Sequence, residues 1–168
     1  MTARRAFPFG CVIIASTGDA GGEPEREARV DDLVAIAHDA GAEPIVAVVD
    51  RGVEVAAPAR RVDRPRQVRD DESALRVGVS QLANASVEGA LLWPASEAHA
   101  SLEGVLAVID LARRGGAPIV APVLGEERLA PVFVVRDLWR ELLTTAGGLG
   151  ALAGLYADRV ATVDVRRG

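Results

Sequence analysis

Lysine is absent from this chain of 168 residues, in which all 19 basic residues are arginine. The absence excludes mechanisms built on a Schiff-base lysine or a phosphate-binding lysine. Cysteine occurs once, at Cys11, so no internal disulfide can form, as expected of a protein from a reducing compartment. Cys11 sits inside an apolar stretch, which reads as buried packing rather than a reactive thiol. No run approaches the roughly 20 apolar residues of a membrane span. Neither a Gly-x-Gly-x-x-Gly nor a Walker pattern is present, and no serine lies in a nucleophile elbow. A net charge of −5 argues against a nucleic-acid backbone or an anionic membrane as the main partner.

A hydrophobic content of 49% and a charged content of 26% are those of an ordinary globular domain. At this length the chain reads as one domain over residues 1–168, able to bury a core without disulfides or metals. Repeats, low-complexity tracts and linkers are all missing. Residues 1–8 read as a loose tail. Within it Arg4-Arg5-Ala6-Phe7 has the look of a twin-arginine export signal, but Pro8 and Gly10 interrupt the apolar run that should follow. The expectation is a cytoplasmic protein.

Gly10–Ser16 reads as a first buried strand, running into a loop, Thr17–Arg29, that carries glycines at 18, 21 and 22. Val30, Leu33, Val34, Ala37 and Ala40 then recur at helical spacing and stop at Gly41, a helix-ending glycine. Pro44–Asp50 is a continuous apolar run, as in a parallel strand covered on both faces. Residues 51–72 are polar and arginine-rich, with one short strand near Arg61. A helix from Asp71 carries Leu75, Val79 and Leu82 on one face. Glu88–Trp93 is a further buried strand, stopped by Pro94. Leu102, Val105, Leu106, Ile109 and Ala112 mark a helix closed by Gly115-Gly116. Ala117–Leu124 and Leu129–Val135 read as a strand pair across Gly125-Glu126-Glu127. Leu138, Trp139, Leu142 and Leu143 define another helix, Leu149–Tyr156 a second, and Val160–Val165 a last strand. This alternation predicts a three-layer α/β/α Rossmann-like fold, its sheet mostly parallel with one antiparallel strand.

In such sheets ligands sit beyond the carboxyl ends of the strands. The glycine-bearing loop after the first strand is therefore the candidate site: Ala15, Ser16, Thr17, Gly18, Gly21 and Gly22. A phosphate cradle needs backbone N–H groups, a helix N-terminus and usually a cation. Here Asp19, Glu23, Glu25 and Glu27 outnumber Arg26 and Arg29, which suits a helix dipole but repels a triphosphate. A metal needs carboxylates or imidazoles that converge. His38, on the first helix, and His99, at a helix start beside Glu97 and Glu103, belong to no ligand-spaced cluster. Glu97, itself read as a helix-start acid, and Asp50 are the metal candidates that remain. The apolar helix Leu149–Tyr156 with Trp139 reads as core or as a subunit interface.

The order of these pieces resembles the molybdenum-cofactor cytidylyl- and guanylyltransferase-like (MobA-like) nucleotidyltransferases, from Gly10 to Val165. Ala74-Leu75-Arg76-Val77-Gly78 is similar to the family's Ser-Leu-Arg-x-Gly helix start, and Leu91–Ala98 to its strand ending in Pro-x-Asp-x-Pro. Ile119–Pro122 with Leu129–Phe133 is similar to its Gly-His-Pro-Val-Leu-Phe hairpin, and Gly148–Leu152 to its late Gly-x-x-x-Leu helix. The resemblance implies a nucleotide site that includes Arg76 and Ser96. It also implies departures on the chemistry. Ile14–Gly18 keeps only the shape of the family's phosphate loop, without its arginine and lysine. The metal-binding aspartate falls on Ser96, and a serine hydroxyl does not replace a carboxylate on Mg²⁺. The Gly-His pair falls on Leu129-Ala130, and the chain ends soon after Asp164 without the family's Asp-x-Asp-Thr. Together these imply a degenerate nucleotidyltransferase-like domain that has lost catalysis, with a structural, regulatory or weak ligand-binding role, as a homo-oligomer or beside a protein partner. The alternative is an active enzyme using Mg²⁺ and an NTP, with a rewired site in which Ser16, Thr17 and Gly18 touch phosphate and Glu97 or Asp50 takes the metal.

Overall fold

Three apolar strands lie side by side at the centre of the molecule and organise everything else. They are β1 (Phe9–Ile14), β2 (Ile45–Val49) and β4 (Gly89–Pro94), buried at every position. The computed structural model describes residues 6–15 and 23–165, the side chains of residues 23–28 excepted. β1 pairs in parallel with both β2 and β4, Cys11 standing opposite Ile45 on one side and Leu91 on the other. β3 (Arg60–Asp63) adds an edge in parallel to β2. On the other side, β7 (Val132–Val135) runs antiparallel between β4 and β5 (Ile119–Leu124). β6 (Glu127–Arg128) is antiparallel to β5, and β8 (Val160–Asp164) is parallel to it.

Successive side chains of a strand point to opposite faces, so a strand apolar throughout requires a layer on each side. Cys11 and Ile13 of β1 accordingly pack with α1 (Glu23–Ala40) and α3 (Leu102–Arg114). Val12 and Ile14 pack with α2 (Asp71–Gln81), α4 (Trp139–Thr144) and α5 (Gly148–Leu155). The result is the three-layer α/β fold with a mostly parallel sheet. The α2 layer lies very close to the sheet, for a Cβ on Gly78 would stand 2.2 Å from Val12 Cγ1.

Several elements differ from the sequence reading. β1 begins at Phe9, and α1 takes in Glu23–Arg29, where the sequence suggests loop. Pro24 and the acids of that first turn agree with a helix start. Pro94 belongs to β4 opposite Ile14, because at the last position of a strand its missing N–H costs no ladder bond. Leu106 is 45% exposed, since α3 turns the stripe Val105, Val108, Ile109 and Ala112 inward. α5 is only partly core: Leu152 is buried but Leu155 is 70% exposed. Two short strands rather than one run antiparallel, because Leu129–Pro131 separates β6 from β7. Of the tail, Phe7 is half-buried against Phe133, with ring centroids 5.7 Å apart. No helix among the described residues is long and apolar enough to cross a membrane.

Candidate functional site

The parallel strands β1, β2, β3 and β4 all end on one edge, and the buried charged residue of the described chain, Arg64, lies there. Arg64 is the first residue beyond β3; its N–H donates to Val49 O at 2.8 Å, which continues the pairing with β2. Its side chain turns inward and is 2% exposed. Nη2 donates to Ala15 O at 2.6 Å, at the end of β1, and lies 3.6 Å from Asp71 Oδ1, in the first turn of α2. Nε and Nη1 are buried and have no hydrogen-bond partner among the described residues. A buried donor left unpaired costs about 1–3 kcal/mol, more when the group is charged. Both donors lie at the carboxyl edge of the parallel sheet.

The turn after β4 closes the other side. Ser96 Oγ donates a long hydrogen bond to Asp71 Oδ2, 3.4 Å. Arg29 Nη1 donates to Ala95 O at 3.1 Å, tying α1 to the same turn. Glu97 N–H donates to Pro94 O at 3.2 Å. The Glu97 carboxyl is pushed above its ordinary range, first by lost hydration and then by the negative charge of Asp71, with Arg128 opposing. Asp71 and Glu97 are thus two carboxylates within electrostatic reach of each other, and Arg64 already engages the first. Among the described residues no three of His, Cys, Asp and Glu converge on one point.

The candidates from sequence divide accordingly. Ala15 and Ser96 meet at this edge through Arg64 and Asp71. Ser16, Thr17, Gly18, Gly21 and Gly22 lie outside the described residues. Arg76 does not join them: Nη2 donates to Glu72 Oε1 and to Thr145 O, each at 2.6 Å, so it fastens α2 to the turn between α4 and α5. Asp50 follows β2 and stands on the wall of a cleft toward β3. Glu97 occupies a bend and not a helix start, and His99 forms an isolated bridge to Ala130 instead of opening α3, which begins at Leu102 behind its cap Ser101. His38 lies exposed in the last turn of α1. Cys11 is fully buried, and burial pushes its thiol far above the ordinary range, as a packing residue requires.

Arg64 and Asp71 escape the sequence reading. The available signal is positional: Arg64 directly follows a short strand and Asp71 opens the next helix, which places both at the carboxyl edge of the sheet. A cleft of about 420 Å³ between Phe7, Phe133 and Arg113 opens at the opposite edge, remote from these groups.

No protein-family model matches the chain, and no curated protein matches its sequence. Solved structures do match its fold. Rv0371c from Mycobacterium tuberculosis H37Rv, solved in complex with manganese, is 16% identical, with 94% of this chain and 88% of that chain covered and a TM-score of 0.72. CMP:2-keto-3-deoxy-manno-octonic acid synthetase complexed with CTP is 13% identical, covers 96% and 91%, and has a TM-score of 0.69. The 2-C-methyl-D-erythritol 4-phosphate cytidylyltransferase of Thermus thermophilus is 18% identical, covers 95% and 90%, and has a TM-score of 0.64. The chain has the α/β fold of the nucleotidyltransferases to which it is similar.

Proposed function

We propose that this domain binds a nucleotide, or a small phosphorylated molecule of that class, at the carboxyl edge of its sheet without carrying out metal-dependent nucleotidyl transfer. Its role is then regulatory, structural or ligand-sensing, as in a MobA-like domain that has lost catalysis. The observation that carries the binding is Arg64, a buried cation with two donors unpaired among the described residues at the place where this fold accepts ligands. A guanidinium is suited to phosphate oxygens, and in a chain without lysine it is the cation available.

The donor set fits Mg²⁺ poorly. A catalytic Mg²⁺ would neutralise charge on a transferring phosphoryl group. The residue where the family places its metal aspartate is Ser96, Asp71 is held by Arg64 and Ser96, and Glu97 prefers its proton more than an ordinary carboxylate does. One observation favours the active alternative: Asp71 and Glu97 repel each other, and a divalent cation between them would relieve that repulsion.

A thermal-shift and calorimetric screen of the four NTPs, with and without Mg²⁺, tests both readings. Binding at a hundredfold excess over Kd stabilises the folded state by about 2.7 kcal/mol. The expected result is stabilisation independent of Mg²⁺, at least tenfold weaker in Arg64→Gln and partly kept in Arg64→Lys. Nucleotide binding that needs Mg²⁺, together with release of pyrophosphate on adding an acceptor, would establish the alternative. No shift with any NTP at millimolar concentration sinks the nucleotide reading.

A further inference from the structure

The arginines between Arg51 and Arg69 divide into two sets. Arg60 donates to Gln81, and Arg61 pairs with Asp63 at 2.6 Å and donates to Asp50 O and Val53 O. Arg64 is held by Ala15 O and Asp71. These three have structural work. Arg51, Arg66 and Arg69 are exposed and have no ion-pair or hydrogen-bond partner among the described residues. All three nevertheless line one cleft of about 380 Å³, with Asp50, Pro65 and Val68 completing the wall and Arg64 standing at its inner side.

Among the described residues, the cleft is lined by the segments that follow β2 and β3. Among the described residues none of its lining comes from β1 or from the turn after β4, which holds Ser96 and Glu97. Strands stand about 4.8 Å apart, so it is displaced toward the β3 edge from the site at β1 and β4. Arg64 is the partition between the two. Like charges brought to one concavity repel, and among the described residues these side chains bond to no neighbour that would demand it. The chain as a whole carries −5, so the cleft inverts the sign of the molecule locally. Low-dielectric walls concentrate such a field and raise the local concentration of anions.

We infer that the Arg51–Arg66–Arg69 cleft is a second anion site, which takes a small ligand carrying at least two negative charges on phosphoryl oxygens. Planar guanidinium forks match that geometry, and three of them around one cavity exceed what a single carboxylate needs. The ligand is a free phosphoryl metabolite or the phosphate tail of a nucleotide seated in the neighbouring site.

Pyrophosphate is the probe, titrated by calorimetry against the whole chain, with CTP and GTP as parallel arms. Arg51, Arg66 and Arg69 are exposed and unpartnered among the described residues, so Arg51→Gln, Arg66→Gln and Arg69→Gln should leave the melting temperature unchanged. Each is expected to weaken pyrophosphate binding about tenfold, the loss of one charge-assisted contact. Affinity is expected to fall as ionic strength rises. If CTP or GTP loses affinity in the same variants, the nucleotide tail is the occupant; if only pyrophosphate does, a free phosphoryl metabolite is. Pyrophosphate that fails to bind at millimolar concentration, or binds with undiminished affinity in all three variants, overturns the inference. Loss confined to Arg64→Gln also overturns it, while leaving the nucleotide site standing. Sensitivity to the three variants with no binding of any NTP would sustain the inference and remove the nucleotide reading.

Discussion

Asp71 does three things at once: it faces Arg64, accepts from Ser96, and disfavours the charge on Glu97. Replacing it by asparagine removes the last effect and leaves the shape. Glu97 should then titrate closer to its ordinary value in Asp71→Asn, though not fully, because lost hydration is the larger cause. An NMR titration of the Glu97 carboxyl carbon reads this directly, and an unchanged midpoint would contradict it. The sign for stability follows. A carboxyl whose pKa is raised on folding destabilises the folded state as pH rises through the ordinary value and then the raised one. Glu97→Gln is therefore expected to be neutral or stabilising at pH 7.

α2 brings Asp71 to the site, and its start is fixed by one residue. Asp70 has extended backbone geometry and accepts from Ser73 N–H at 2.9 Å and from Ser73 Oγ at 3.1 Å, so it caps the helix. Those bonds, the backbone one first, hold its carboxyl below the usual range. Asp70→Ala should cost about 1 kcal/mol at neutral pH. Because the native pKa is depressed, the contribution is present above the unfolded value and is lost as pH falls through the lower native one. Thermal melts of Asp70→Ala and the parent chain should converge on acidification, and a difference that persists below both values would show that the cap does not work through the carboxylate. On the sheet side, the same helix is legible in sequence through Leu75, Val79 and Leu82, all of which are buried. Its cap needs only local spacing as well, an aspartate three residues before Ser73. α3 is equally legible as a helix, and only its buried stripe is not. Its pattern admits one stripe through Leu106 and another through Val108, and packing against α1 and the sheet turns Val108 inward.

Across the molecule, burial falls from the centre of the sheet to its edges. β1, β2 and β4 are buried throughout, whereas β3 and β8 are bordered by one strand each and contain no fully buried residue. Amide exchange by mass spectrometry should show β1, β2 and β4 opening only with global unfolding, and β3 and β8 exchanging sooner by local opening. Equal protection of β8 and β1 would contradict that ordering. The cleft of arginines sits beside β3, so its walls belong to the less protected edge of the sheet.

The alternation of strands and helices, the burial of β1, β2 and β4, and the burial of Cys11 are all written in the sequence. Each follows from local periodicity or from uninterrupted apolar character, which a chain carries wherever it folds. The site is another matter, because it exists only in three dimensions. Position after a short strand is all that marks Arg64 among the arginines of residues 51–69, and its burial is decided only when the ends of β1 and β2 close over it, because whether a polar group is buried depends on what stands beside it in space. The meeting of Asp71 with Ser96 and Glu97 is likewise made by α2 and β4, which are distant in sequence and adjacent only in the folded sheet.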